Sequence, residues 1–585
     1  MAKSDSRFEY KAKLGRTDHN LSQPLGFNSA CGMLLPIWFD IATPGDSYYM
    51  QHDMPLLRSV QLIAPTMVDV KVHFETFFVP FQMIYQPSEN VLFSLLNLQS
   101  GFYTDTAFMA NNNFPIWNYQ RFVDDVLSDA IPNEEFRSDA FRLADLLGLS
   151  PYNFATGIGI HPYAPSFFPY QLLAYHTIYQ YYYRLDDKSE FSNTFCNWDR
   201  YYTTSDAVII LDGRMMQIHQ RPWDFDYFMS IYRSPIVSDS NMQKILPSAV
   251  YSDLVNHITK PITSGGVESS VNSNISAFTS YVGGSFDETN LNSLGSSVLI
   301  RQLFANEKLA MITGRTRKNY DSQVLAHYGV NVPHDVKHDL TMVHHDEYDL
   351  TVQEVTSLAS TDDAPLGELA GKSFSAGNGK QFNFTAPCHG VMMTIFSIEP
   401  KKRYIGNFDR LNAVTNAYDL PTPEFDRLGN VPMFRYECGR RNEVSTLTDT
   451  DIIGWKERYY YNKRKYPKVT VGFAAQNGIN SFGSYFLSSF PFGQSVIGSA
   501  SGLPGVSYAQ SPRPDLENRF YIERGAFDNM CHMPFYYGWK DEEDGENWNS
   551  SPWLIYARDP FIVNSHIKCK KVSWMSKDGE PIYNY

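Results

Sequence analysis

The sequence predicts a mainly β protein, a sandwich with long loops, and three observations carry that expectation. Residues 68–75 alternate, with Val68, Val70, Val72 and Phe74 on one side and Asp69, Lys71, His73 and Glu75 on the other. Side chains along a strand point to opposite faces in turn, so this stretch predicts a strand with one apolar and one wet face. The apolar run "GMLLPIWFDIATPGDSYYM" is closed by Thr43-Pro44-Gly45-Asp46, where Pro followed by Gly fits a type II turn. Elsewhere short β-like runs are broken by Gly, Pro and Asn, the punctuation expected of a sandwich.

The elements follow in order. Residues 1–30 are polar and read as an extended N-terminal arm lying on another surface. The alternating strand ends in Phe77, Phe78, Val79 and Pro80, apolar on both faces, which makes these four a candidate subunit interface: the wet face would be covered by another chain. A helix is predicted from an N-cap at Ser88, with Val91, Leu92, Leu95 and Leu96 at helical spacing. A second covers Phe168–Arg184, with Leu172, Tyr175 and Tyr179 on one stripe, and a third covers residues 299–314. Residues 234–298 end in a Ser/Gly/Asn-rich half without lysine or arginine, the composition of a surface-exposed insertion.

A chain of 585 residues exceeds the size at which one core usually stops growing, so it holds several domains or one core with large insertions. No change of composition marks a linker, which favours a single domain over 31–585. Hydrophobic residues make up 43% and charged residues 19%, leaving Tyr (38) and Phe (40) to supply much of the surface or an aromatic-rich β core. The net charge of −14 excludes a simple nucleic-acid wrapper, because displacing counterions requires positive charge. The six cysteines are scattered, with neither zinc-site nor disulfide-framework spacing, and read as free thiols. "MAKSDSRFEYKAK" has no apolar signal region, so synthesis in a cytoplasm is expected.

Several motifs invite chemistry and fail its requirements. Gly367, Gly371, Lys372 and Ser373 suggest a phosphate loop, but three residues separate the glycines where four are needed. Aligning Gly545 within "DEEDGENWNSS" as the sixth position of a calcium loop puts Lys540 first and Ser551 twelfth, so a solvated acidic loop is expected. His334, His338, His344 and His345 gather with Asp335, Asp339, Asp346 and Glu347, a pattern read as a hydrated edge rather than a metal site. No catalytic constellation, cofactor or metal is expected.

The stretch "GWKERYYYNKRKYPK" is a dense positive island in an acidic chain. Cations track a phosphate backbone while rings stack on unpaired bases, so Arg458, Tyr460, Lys463, Arg464 and Lys465 are candidate single-stranded DNA contacts. The alternative is a strand and turn whose cations meet carboxylates of a neighbouring subunit. Lys570 and Lys571 repeat the pattern more weakly near the C-terminus.

A set of segments in fixed order gives a resemblance: "HNLSQ" (19–23), "GMLLPI" (32–37), "PGD" (44–46), "FFVPF" (77–81), "AYHTIYQYYYR" (174–184), "RPWDFDYFMS" (221–230), "GRTRKNYDSQVLAHYGV" (314–330), "LGELAG" (366–371), "HGVMM" (389–393), "PEFDRLG" (423–429) and "GWKERY" (454–459). On these the chain resembles the major capsid proteins of the microvirus family of small, tailless, single-stranded DNA bacteriophages, including its gokushovirus-like branch. The resemblance implies an eight-stranded antiparallel jelly roll with long insertions and a few short helices. It also implies self-assembly into a small icosahedral shell around circular single-stranded DNA, and host attachment through an exterior insertion. "LGELAG" then becomes a shell-protein turn. The implied partners are further copies of the chain, the packaged DNA, a small basic DNA-binding protein, other phage structural proteins and a host receptor. The implied location is the virion, after synthesis in the bacterial cytoplasm. A carbohydrate-binding β-sandwich is the alternative, since Tyr/Trp-rich faces also stack on sugars; a β-sandwich hydrolase comes third, with no acid/base pair to nominate.

Overall fold

Described in the computed structural model are residues 16–62, 65–85, 88, 117–118, 134–149, 166–185, 217–232, 262–264, 267–269, 339–356, 369–404, 408–414, 420–426, 429–438, 452–470, 486, 488–489, 520–522, 524–531, 535–536 and 558–575. The chain divides into two compact units, one of residues 1–225, 335–407 and 466–585, the other of 226–334 and 408–465.

The first five longer strands are β1 (Thr17–Asn20), β2 (Gln23–Ser29), β3 (Leu35–Ala42), β4 (Ser47–Ser59) and β5 (Val70–Pro80). Next come β6 (Thr341–Asp349), β7 (Thr351–Thr356), β8 (Leu369–Asn378), β9 (Phe382–Thr385) and β10 (Gly390–Pro400). The last are β11 (Asn430–Phe434), β12 (Ile452–Glu457) and β13 (Phe561–Ser573). All but β11 and β12 lie in the first unit and build two antiparallel sheets there. The larger, of seven strands, runs β1-β13-β4-β8-β7, with β2 added to β13 and β9 to β4; the smaller, of four, runs β6-β5-β10-β3. Rings from the two sheets meet between them: Phe27 with Phe396 at 5.0 Å, Phe78 with Phe384 at 5.2 Å, and His52 with Phe74 at 5.7 Å. The expected mainly β, two-sheet antiparallel architecture of a jelly roll is present.

Local chemistry explains the turn between β3 and β4. Gly45 sits at φ +87° and the Asp46 amide donates to the Thr43 carbonyl at 3.0 Å, the geometry of a type II turn. A Cβ at Gly45 would lie 2.8 Å from Trp574 Nε1, so both backbone angle and space require glycine.

Within the sheets and helices, sequence expectations and structure part in four places. First, Phe77, Phe78 and Val79 are 0% exposed and Pro80 is buried, so this patch is core and not a subunit contact. Phe77 packs on Tyr182 on one side of β5, and Phe78 on Phe384 of β9 on the other. Half of the wet face of β5 is covered too, by the chain's own residues: His73 is 3% and Glu75 1% exposed, whereas Asp69 and Lys71 stay in reach of water. Second, residues 17–29 of the predicted arm are strands of the larger sheet, with Thr17 opposite Ser573 and Gln23 opposite Ile567. Third, residues 369–378 of the "LGELAGKSF" region form β8 rather than a turn, paired with β7 and β4. Fourth, the helix predicted over 168–184 is Tyr170–Ile178 continued by a π-helical turn, Tyr179–Tyr183, and residues 172–178 are buried all round rather than along one stripe. Its Tyr175 hydroxyl donates to the Leu34 carbonyl and accepts from the His219 amide, both at 2.9 Å, so a fully buried tyrosine leaves no polar group unpaired.

A further helix covers Glu134–Leu146. Outside the described residues lie the predicted helix of 299–314, all but Ser88 of the earlier one, His334, His338 and the acidic loop at 541–551. Of the insertion at 234–298, only a small antiparallel pair, Ile262–Ser264 with Val267–Ser269, is described. No helix among the described residues is long and apolar enough to cross a membrane.

Candidate nucleic-acid interface

The basic island belongs to the second unit up to Lys465. Strands β11 and β12 pair there, with Val431 opposite Lys456. Tyr232 and Trp455 exchange backbone hydrogen bonds of 2.7 and 2.8 Å. Gly454 permits that approach, since a Cβ would lie 2.9 Å from the Tyr232 carbonyl oxygen. The chain then reverses at Tyr459, in the left-handed region at φ +59°, and makes one short helix, Tyr460–Lys463.

This turn sorts the island into an inside and an outside. Tyr459, Tyr460 and Tyr461 are 5%, 3% and 8% exposed, so the predicted base-stacking rings are turned into the protein. The Tyr460 hydroxyl donates to the buried Glu437 carboxylate, which also accepts from Arg410 Nη1 at 3.1 Å and the Phe434 amide at 3.0 Å. Burial pushes the Glu437 carboxyl above its usual range even with these donors. Tyr460 is therefore an internal strut, which corrects its assignment as a DNA contact.

Lys456 also points inward. Its ammonium lies 4.3 Å from the Tyr227 ring centroid and 4.8 Å from that of Tyr460, and among the described residues Nζ has no hydrogen-bond partner. Burial drops its pKa to about 7. On the outside, Lys463 pairs with Asp426 at 2.5 Å, both side chains well exposed. Arg464 and Lys465 are exposed. The Arg458 guanidinium lies 5.3 Å from the Tyr459 ring centroid. What remains of the candidate is a short cationic rim from which the rings of Tyr459, Tyr460 and Tyr461 are withdrawn.

In the first unit, Lys570 and Lys571 are neighbours on β13 and face different surroundings. Lys571 is half-withdrawn and tied to Asp40 at 2.8 Å, Asp46 at 3.2 Å and the Ile41 carbonyl at 2.8 Å. Its charge is neutralised inside the protein, so its assignment to DNA is also corrected. Lys570 is exposed beside Asp18 at 3.1 Å.

The remaining histidine-rich expectation falls on β6, and alternation splits it between the two faces of the smaller sheet. Toward the larger sheet, His52 Nδ1 meets Asp346 Oδ2 at 2.9 Å and its Nε2 meets Thr76 Oγ1 at 2.8 Å. Burial lowers the His52 pKa against the pull of Asp346. On the opposite face lie His73, Glu75, His345, Glu347 and Glu399, and two of them, Glu75 and Glu399, hold Arg221. Arg221 Nη1 binds Glu75 Oε2 at 2.8 Å, and its Nε lies 3.3 Å from Glu399 Oε2. The Tyr183 hydroxyl also donates to Glu75. Glu399 is held down to about 2: burial would raise it, but the His73 hydrogen bond, then Arg221 and Lys401, overcome that. His73, His345 and Glu347 offer ligand atoms that all lie within 4.8 Å of one another. This seam was missed from sequence; its signal is charged residues spaced by two in strands otherwise apolar on both faces, as Glu399 is in β10.

Compared with known proteins, the chain matches a family model described as "Capsid protein (F protein)" over residues 10–98 and 166–497. No curated protein matches it. The matched residues contain every strand labelled above except β13. With the family model covering most of its length and an antiparallel two-sheet β fold beneath that match, the chain belongs to the capsid protein (F protein) family.

Proposed function

We propose that the chain self-assembles into a small icosahedral shell that encloses a circular single-stranded DNA genome and contributes to host attachment. The observation that carries this reading is the family match along most of the chain. Closed symmetric assembly needs one chain to offer complementary patches around several axes. Exposed large side chains such as Leu56 and Met67, at 44% and 58%, leave apolar surface for such contacts. Purified protein viewed by negative-stain microscopy, with its partner proteins where required, should give regular particles; a persistent monomer that binds glycans would favour the carbohydrate-binding alternative.

Within that reading, Lys463, Arg464 and Lys465 contact the packaged DNA as a local cationic rim, and a small basic protein supplies the rest of the charge that a chain of −14 lacks. Changing all three to alanine is expected to leave shells intact and lower their DNA content. Particles with normal genome content would show that these cations serve protein contacts instead. The insertion at 234–298 is the proposed receptor-facing segment. Deletions within Thr263–Ser297 are expected to spare folding and reduce adsorption to cells; a misfolded product would place the segment in the core. The finished protein resides in the virion, after synthesis in the bacterial cytoplasm.

A further inference from the structure

We propose that His73, His345 and Glu347 form a binding site for one divalent transition-metal ion of the zinc class at the β5–β6 edge of the smaller sheet. Strand pairing brings the donors together. Glu347 lies directly opposite His73, and His345 opposite Glu75, so one sheet face presents two imidazoles and a carboxylate across adjacent strands. Their ligand atoms fall within a 4.8 Å sphere of mutual distance.

The two imidazoles carry the argument. His73 Nδ1 and His345 Nε2 are 2.9 Å apart. With metal–nitrogen bonds of ~2.1 Å, that separation subtends about 90° at an ion, the angle between neighbouring ligands of an octahedral site, and a small opening reaches the tetrahedral value. The other nitrogen of His73, Nε2, meets Glu399 Oε2 at 3.0 Å. A proton on Nε2 leaves Nδ1 with its lone pair aimed at His345. A carboxylate behind a histidine is the support that metal-ligating imidazoles commonly have, since it fixes tautomer and ring orientation. Glu399 is itself anchored by Arg221 Nε at 3.3 Å, so the support is rigid.

Glu347 is the adjustable ligand. It pairs with Lys71, and the two side chains are 38% and 31% exposed, so exchanging that contact for a cation costs little. Glu75 Oε1, 3.9 Å from His345 Nε2, is the next carboxylate, but Arg221 and Tyr183 already hold it. The charges nearby balance before a cation arrives, Glu75, Glu347 and Glu399 standing against Arg221, Lys71 and Lys401, and release of Lys71 from Glu347 frees one carboxylate for the ion. Two nitrogens and one oxygen favour zinc, cobalt or nickel over calcium or magnesium, which take oxygen ligands. The partly exposed side of the site leaves room for water to complete the coordination.

The test uses the full-length protein, stripped with a chelator and titrated with Co²⁺ while visible absorption is recorded. One equivalent per chain is expected, displaced by Zn²⁺ and not by Ca²⁺ or Mg²⁺. His345→Asn should abolish that uptake and Glu347→Gln should weaken it at least tenfold, with metal-free circular dichroism unchanged in both. His345 is the better probe than His73, because removing His73 would strip Glu399 of a buried partner and confuse binding with folding. Absence of stoichiometric uptake, or uptake unchanged in His345→Asn, would overturn the proposal and leave the pair as an N–H···N hydrogen bond from His345 to His73.

Discussion

Arg221→Met is expected to cost the first unit ~3–5 kcal/mol, the usual penalty for removing one partner of a buried ion pair. Arg221 is 13% exposed and its guanidinium reaches two carboxylates, Glu75 and Glu399, whose side chains are 1% and 2% exposed. It also donates to Ser397 Oγ at 3.0 Å, linking strands β5 and β10 from one face. Methionine matches the stem but supplies no charge. Glu399 would keep His73 and Lys401, whereas Glu75 would keep the Tyr183 hydroxyl and His345 at 3.9 Å, neither of them a fixed charge. Since domains are stable by only ~5–15 kcal/mol, the variant should show a lowered urea midpoint and a reduced soluble yield. Adding Glu75→Gln should recover much of the loss, because a neutral amide can still accept from Tyr183. An unchanged midpoint in Arg221→Met would show that the carboxylates are solvated and that the seam holds nothing together.

The reach of sequence reasoning follows the range of the interactions. The Thr43–Asp46 turn is decided within four residues, by a proline, a glycine and an amide, and it was legible in full. The alternation in β5 was legible as a strand, because period two is a local property. What covers its polar face is not local. Glu75 finds Arg221 at a separation of 146 residues and His73 finds Glu399 at 326, so the same pattern that reads as wet is filled by the chain itself. Phe77–Pro80 was misassigned for that reason: two-sided greasiness marks a strand sandwiched on both faces, and a subunit contact gives the same signature. In the basic island, charge density was legible but direction was not. Tyr460 turns inward because Glu437 is there to accept its hydrogen bond, a pairing 23 residues away with no motif to announce it.

Lys456→Met is expected to stabilise the second unit by ~2–4 kcal/mol at neutral pH and to remove a pH dependence of its unfolding. Lys456 is 3% exposed, and among the described residues its ammonium has two tyrosine rings for company in place of a hydrogen-bond acceptor. The rings return ~1–2 kcal/mol of cation–π attraction, less than the cost of taking an ammonium out of water. Asp226 attracts it, but that carboxylate is already committed to the Phe228 and Met229 amides at 2.9 and 2.8 Å. The folded pKa of about 7 lies below the ~10.4 of a lysine in an unfolded chain. Between those values the unfolded state holds a proton that the folded state has released, so stability rises with pH from about 7 to ~10.4. Below the folded value both states are charged and the penalty is present in full. Methionine keeps the unbranched stem against Tyr227 and Tyr460 and has nothing to desolvate, so the rise that Lys456 contributes between about pH 7 and ~9 should be missing from the variant. Urea unfolding at pH 6, 8 and 10, followed through the second unit's tyrosine and Trp455 fluorescence, measures both effects. A wild type without slope, or a methionine variant less stable than the parent at pH 7, would mean that water or an acceptor reaches Nζ and that this lysine is solvated after all.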